Sequence, residues 1–252
     1  MKIQVLIIVC LFLSFFSAAR KSSSPILKIA EQYLGIPYVE NTLEQLDEEK
    51  LIINKKAVDC TTFVEYVLAE HLTNDSISFE ERLQSIRYRE GKIEGYASRL
   101  HYFSEGVQQA INNGFIIDIT ERNSDLKNQL NIHFMSSHPD LYPSLFKEEK
   151  ELNEILRIEK ALSGGEFYYL PKERLSTEGV EWIEEGDIIA LVTSIDGLDV
   201  SHVGFAVYIN NELRLLHASS KYRKVIVDCK SLKEYVMKKR SILGIRVFRV
   251  QL

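Results

Sequence analysis

The chain has 252 residues, with 31 Lys and Arg against 36 Asp and Glu, a net charge of −5. That mild acidity offers nothing to attract nucleic acid or an anionic membrane surface. Three cysteines are too few for a disulfide framework, even in a compartment that would permit one.

At the N-terminus, Lys2 is followed by an apolar run from Ile3 to Phe16, and Ser17-Ala18-Ala19 supplies small residues for cleavage before Arg20. The run is shorter than the roughly 20 residues of a membrane span, so residues 1–19 read as a cleaved signal peptide. Cys10 is no lipidation site, because Ile8-Val9 precede it where small residues are required. Export follows, with the periplasm as the expected location. Residues 20–252 then form a single domain. Ile26, Leu27, Ile29, Ala30, Tyr33 and Leu34 recur at helical spacing, and Gly35 stops that helix.

Next comes Val58-Asp59-Cys60-Thr61-Thr62-Phe63-Val64. Asp59 occupies an N-cap position, Cys60 starts the helix, and Val58 with Phe63 fits a hydrophobic staple. Thr62 stands where the Glu or Gln of a capping box belongs, so that partner is expected to be missing. A thiol at a helix N-terminus faces unpaired N–H groups and the positive end of the dipole, which lower its pKa; Asp59 opposes this. A small buried hydrophobe is the other reading of Cys60.

From about residue 72 to 180 the pattern is helical and loop-like, an insertion between the cysteine and the later motifs. Beyond Gly186 it turns to β, with strands over Asp187 to Thr193, Val203 to Ile209, Leu213 to His217 and Lys224 to Asp228. A short helix from Ser231 to Lys239 and a strand from Ile242 to Val250 close the chain. Helices followed by strands indicate an α+β domain with a mainly antiparallel sheet. Asn210-Asn211 suits a two-residue type I′ turn, which opposes Ile209 to Glu212 and therefore His217 to Gly204. His202 and His217 then share a face as diagonal neighbours, about 7–8 Å apart. Gly204 and Ala206 make that face small, a gap into which the Cys60 helix is expected to pack. Taken singly, each histidine also fits a structural role. Together they offer a base for the thiol and a partner to orient it. Cys229, His71 and His133 read as structural, and Cys229 as a buried thiol. Tyr168 and Tyr169 either wall the cleft or seal the core.

The runs Asp59–Glu65 (DCTTFVE), Ser201–Gly204 (SHVG) and Leu216–Ser220 (LHASS), with Gly35–Tyr38 (GIPY) upstream, resemble the motifs of NlpC/P60 cysteine peptidases. The likeness is closer to the DUF1460 branch, described as N-acetylmuramoyl-L-alanine amidase-like, in Arg87–Gly91, Ser98–Tyr102, Phe134–His138, Gly186–Ile189 and Gly197–Asp199. It implies a papain-like fold, with the antiparallel sheet packed against the Cys60 helix and a large, mostly helical insertion. It also implies Cys60 as nucleophile, His202 as base and His217 as orienting residue, with Tyr38 beside the cysteine. The implied reaction is cleavage of the muramic acid–L-alanine amide of peptidoglycan fragments (muropeptides), anhydro forms being a candidate preference. A γ-D-glutamyl-diamino acid endopeptidase and a non-catalytic wall-binding module are the alternatives.

Tyr38, Asp59, Arg99, His101 and Ser201 are the candidate substrate contacts, because Arg suits bidentate carboxylate recognition. Internal ion pairs with nearby glutamates are the competing role for Arg87, Arg89 and Arg99. No CxxC pair, HExxH helix or nucleotide-binding loop occurs, so no cofactor or metal is expected. The sequence leaves the oligomeric state open.

Overall fold

A computed structural model describes residues 24–44 and 48–251. The expected signal peptide, residues 1–19, lies outside them. The elements are α1 (Pro25–Glu31), α2 (Cys60–Leu72), α3 (Phe79–Arg87), α4 (Phe103–Asn112), β1 (Ile116–Asp118), β2 (Lys127–Gln129), α5 (Phe134–Ser137) and α6 (Glu149–Leu162). They continue with β3 (Glu166–Tyr168), β4 (Leu170–Pro171), β5 (Ile188–Thr193), β6 (Val200–Ile209), β7 (Glu212–Ser219), β8 (Lys224–Val227), α7 (Leu232–Met237) and β9 (Ile242–Val250). Among the described residues no helix is long and apolar enough to cross a membrane.

The α+β expectation agrees with the structure. The main sheet runs β1-β9-β5-β6-β7-β8, with β4 also on β9, and every pairing is antiparallel. The insertion is less separate than its composition suggests. It lends β1 and β4 to the free edge of β9, strands too short to leave an alternating pattern. It also holds its own small core, in which Tyr102, Met135, Leu145, Ile155 and Ile158 are buried.

The sheet has a core on each side. On one, Phe63, Val64, Val67 and Leu68 of α2 pack with Val203, Phe205, Val207 and Leu216. Each such fully buried side chain contributes about 2 kcal/mol of apolar transfer. On the other, Leu232 and Val236 of α7 pack with Ile189, Leu191, Ala206, Leu213 and Leu215. The helix bearing Cys60 therefore lies on the Val203–Phe205 side, opposite to the Gly204–Ala206 side expected to receive it. Alternation along β6 shows which residues share a face, but not which layer covers that face.

The hairpin follows its turn. Asn210 and Asn211 have φ of 52° and 66°, both left-handed as a type I′ turn requires, and Ile209 opposes Glu212. The β6–β7 ladder stops at Phe205 and Leu216, one step before the expected Gly204–His217 pair. Beyond that point β6 carries a bulge against β5, where Leu191 opposes His202 and Val192 opposes Val200.

Candidate active site

Asp59 caps α2 as expected, its Oδ1 accepting from Thr62 N–H at 2.8 Å. The capping box is also complete, against expectation. The Thr62 hydroxyl oxygen accepts from Asp59 N–H at 2.9 Å while its hydrogen goes to the Asp59 carboxylate, also at 2.9 Å. A short hydroxyl does the work of the longer Glu because Thr62 folds back onto the turn. This pins the first turn and Cys60 with it. Tyr38 is fixed nearby by a bridge between its own strand segment and Val58. It is buried and its hydroxyl is held protonated, first by that burial and then by the adjacent Cys60.

The splay of β6 from β7 makes room for the sulfur. Ala206 N–H bonds Asp187 C=O on the β5 side, so Val203, an odd number of residues away, directs its N–H toward β7. With the β6–β7 ladder ended there, the Val203 N–H is directed at the Cys60 sulfur, and with the backbone N–H and hydroxyl of Thr61 it favours the thiolate. Cys60 is half-buried. Burial, reinforced by Asp59, pushes its thiol up to about 11. That outweighs the helix terminus, so the sulfur rests as a thiol, contrary to the lowered pKa its position suggests.

His202 and His217 meet as expected, and more closely. Nε2 of His202 lies 2.6 Å from Nδ1 of His217, with the rings nearly perpendicular at 89°. His217 is only 1% exposed, and its Nε2 lies 3.6 Å from Oδ2 of Asp228. Tyr235 of α7 sits edge-on to His217, and the Lys239 ammonium donates to the Tyr235 hydroxyl at 2.7 Å. Burial keeps both imidazoles neutral. His202 is held well below its ordinary value, with His217 and Lys239 contributing, and His217 falls to about 4 although Asp228 pulls the other way.

Cys60, His202, His101 and Ser201 line one cavity of about 110 Å³, together with Leu100, Phe103 and Asp199. Leu100, His101 and Phe103 belong to the insertion, which therefore forms one wall. His101 donates from Nε2 to Tyr96 C=O at 2.9 Å and stacks on the Tyr96 ring. Burial, then Arg99, lowers it to about 3, which leaves a neutral ring with Nδ1 as acceptor. Both Asp199 oxygens are taken by backbone N–H groups of Ser104 and Val200.

Arg99 is not among the lining residues. It is buried and bonded to Glu44, Glu49 and the Leu43 carbonyl, the internal ion pairing that competed with substrate recognition. Arg87 and Arg89 are likewise paired, with Glu65 and Glu105. Cys229 is exposed rather than buried, because it follows β8 instead of lying in it. Tyr168 and Tyr169 lie away from the cavity, on and beside the small β2–β3 sheet. Asp228, Thr61, Tyr235 and Lys239 were not singled out from sequence. Only Asp228 carried a usable signal, since the β7–β8 alternation places it on the His217 face.

The family model described as N-acetylmuramoyl-L-alanine amidase-like matches residues 28–245. A solved N-acetylmuramoyl-L-alanine amidase from Bacteroides uniformis is 45% identical over 90% of this chain and 99% of that one, with a TM-score of 0.87. A Bacteroides fragilis protein named as a candidate xylanase is 47% identical over 89% of this chain and 100% of that one, at 0.86. A Legionella pneumophila protein of the DUF1460 family is 26% identical over 90% and 88%, at 0.70. No curated protein matches. The histidine pair and the cysteine that begins α2 thus sit in a chain that belongs to the N-acetylmuramoyl-L-alanine amidase-like family.

Proposed function

We propose that this protein is an exported cysteine amidase that hydrolyses the bond between the lactyl carbonyl of muramic acid and L-alanine in peptidoglycan fragments. The observation that carries the reading is a single cavity presenting the Cys60 thiol and a His202 ring whose far nitrogen is tied to His217. The likeness to the Bacteroides uniformis amidase supplies the substrate class. A glycosidase needs two carboxyl groups about 5–9.5 Å apart. Among the described residues the cavity offers one, Asp199, with both oxygens committed.

The chemistry begins from a neutral pair. As sulfur attacks the lactyl carbonyl, its proton passes to Nδ1 of His202, the nitrogen not facing His217. Backbone N–H groups at the start of α2, released from the sulfur as charge moves to oxygen, stabilise the oxyanion. His202 returns the proton to the departing L-alanine amine. It then takes one from water, which releases the muramyl acid and regenerates the thiol. The arrangement fits the papain-like NlpC/P60 architecture, and the leader at residues 1–19 fits a periplasmic site of action. The insertion wall of Leu100, His101 and Phe103 is where selection of the sugar form acts, anhydro-muramyl substrates included.

Digestion of defined reducing-end and anhydro-muropeptides by wild type and Cys60→Ala, followed by mass spectrometry, tests the reading. Wild type releases an intact peptide with free L-alanine amine; Cys60→Ala does not; a chelator changes neither result. Cleavage after D-glutamate identifies an endopeptidase instead. Binding without turnover by wild type identifies a wall-binding module.

A further inference from the structure

We infer that Asp228 is a positioning residue that sets, through His217, which nitrogen of His202 is free to act as base. The inference rests on the proposed cysteine mechanism, but the hydrogen-bond chain it uses is visible without substrate. Three groups stand in line: His202 Nε2 to His217 Nδ1 at 2.6 Å, then His217 Nε2 to Asp228 Oδ2 at 3.6 Å. The last distance is longer than a hydrogen bond, yet His217 Nε2 is buried and has no other partner among the described residues.

A carboxylate can only accept. It therefore favours the His217 form with hydrogen on Nε2, which leaves His217 Nδ1 as an acceptor. Only one hydrogen fits between Nδ1 and Nε2 at 2.6 Å, and His202 must supply it. His202 thus carries hydrogen on Nε2 and presents a bare Nδ1 to the thiol. Outer partners commonly fix ligand and base tautomers in this way. The groups facing the relay are Asp228, Lys239, Tyr235 and Cys60. Lys239 and Tyr235 are tied to each other, and His217 Nε2 makes no hydrogen bond to either.

Asp228 is itself held rigidly. Its N–H donates to Leu215 C=O at 2.8 Å, and its Oδ1 accepts from Lys230 N–H at 2.9 Å. This clamp gives an unusual forecast for Asp228→Asn. Lys230 N–H keeps the amide oxygen where Oδ1 was, so the amide NH₂ turns to His217 Nε2. A donor there drives hydrogen onto His217 Nδ1, then onto His202 Nδ1, and the base faces the thiol with the wrong nitrogen protonated. Asp228→Ala removes the constraint without imposing the wrong form.

The experiment compares both variants for muropeptide turnover, thermal unfolding and histidine tautomer by ¹⁵N NMR of the free protein. Asp228→Asn should lower kcat/KM by about 10³–10⁴-fold, as a wrong-tautomer change does in a hydrolase triad. Asp228→Ala should lower it less, by about 10–100-fold, and His202 should show hydrogen on Nδ1 only in the Asn variant. A merely structural role predicts the reverse order, with Ala the more damaging. Equal or greater loss in Asp228→Ala, or an unchanged His202 tautomer in Asp228→Asn, overturns the inference. If wild type fails to cleave while the tautomer still flips, the functional reading fails and the positioning role stands.

Discussion

The Val203 N–H, which would point to β7 if the ladder continued, is directed at the Cys60 sulfur instead. The same opening lets His202 and His217 approach to 2.6 Å at the divide between β6 and β7. Cys60 and His202 thus line one cavity at the end of a ladder rather than across a sheet face. The Cys60 helix can remain in the opposite core, and the two imidazoles can stay on the α7 side.

Burial that holds the thiol and both imidazoles neutral has a kinetic signature. Alkylation of Cys60 by iodoacetamide should quicken with rising pH toward the thiol's value of about 11, since only the thiolate reacts. In the proposed mechanism the base must be unprotonated to work, and His202 protonates only well below its ordinary 6.5. Turnover should therefore persist on the acid side of 6.5 and decline only at lower pH. An alkylation rate that is flat between about pH 5 and about pH 8 would instead reveal a standing thiolate–imidazolium pair.

Gly204 is a packing requirement at the divide. A Cβ there would lie 2.7 Å from Leu216 O and 2.9 Å from His217 Cβ. Backbone oxygen cannot rotate away, so Gly204→Ala should destabilise by about 1–3 kcal/mol. It should also lower kcat by about 100-fold by displacing His217 and hence His202. Urea unfolding together with steady-state kinetics measures both. An active, fully stable variant would show that the histidine geometry tolerates a shift.

Arg99 should matter to folding rather than to substrate. Its side chain is 6% exposed, and Glu49 opposite it is 8% exposed. Removing one member of such a pair leaves buried charge unmatched, so Arg99→Ala should lose about 3 kcal/mol. Arg99→Lys should recover only part of that, since one ammonium cannot span both glutamates as a guanidinium does. Denaturation midpoints decide the matter. Normal stability with a raised KM would return Arg99 to substrate recognition.

Much of the site could be read from the chain because local rules govern it. An Asn-Asn turn fixes hairpin register, register fixes which side chains are neighbours, and so the two histidines could be paired from sequence. The Asp59 cap placed Cys60 at its helix start for the same reason. Both are short-range geometry, set by φ and ψ within a few residues.

What needed the tertiary structure was which layer covers which face, where a ladder ends, and who neutralises whom. The α2 helix lies on the Phe205 side, where Phe63, Val64 and Val67 pack with Val203, Val207 and Leu216. Arg99 meets Glu44 and Glu49 across 50 or more positions, a pairing no spacing rule anticipates. The Cys60 thiol shifts up rather than down for the same reason: a helix terminus is written locally, but desolvation depends on everything that closes around it.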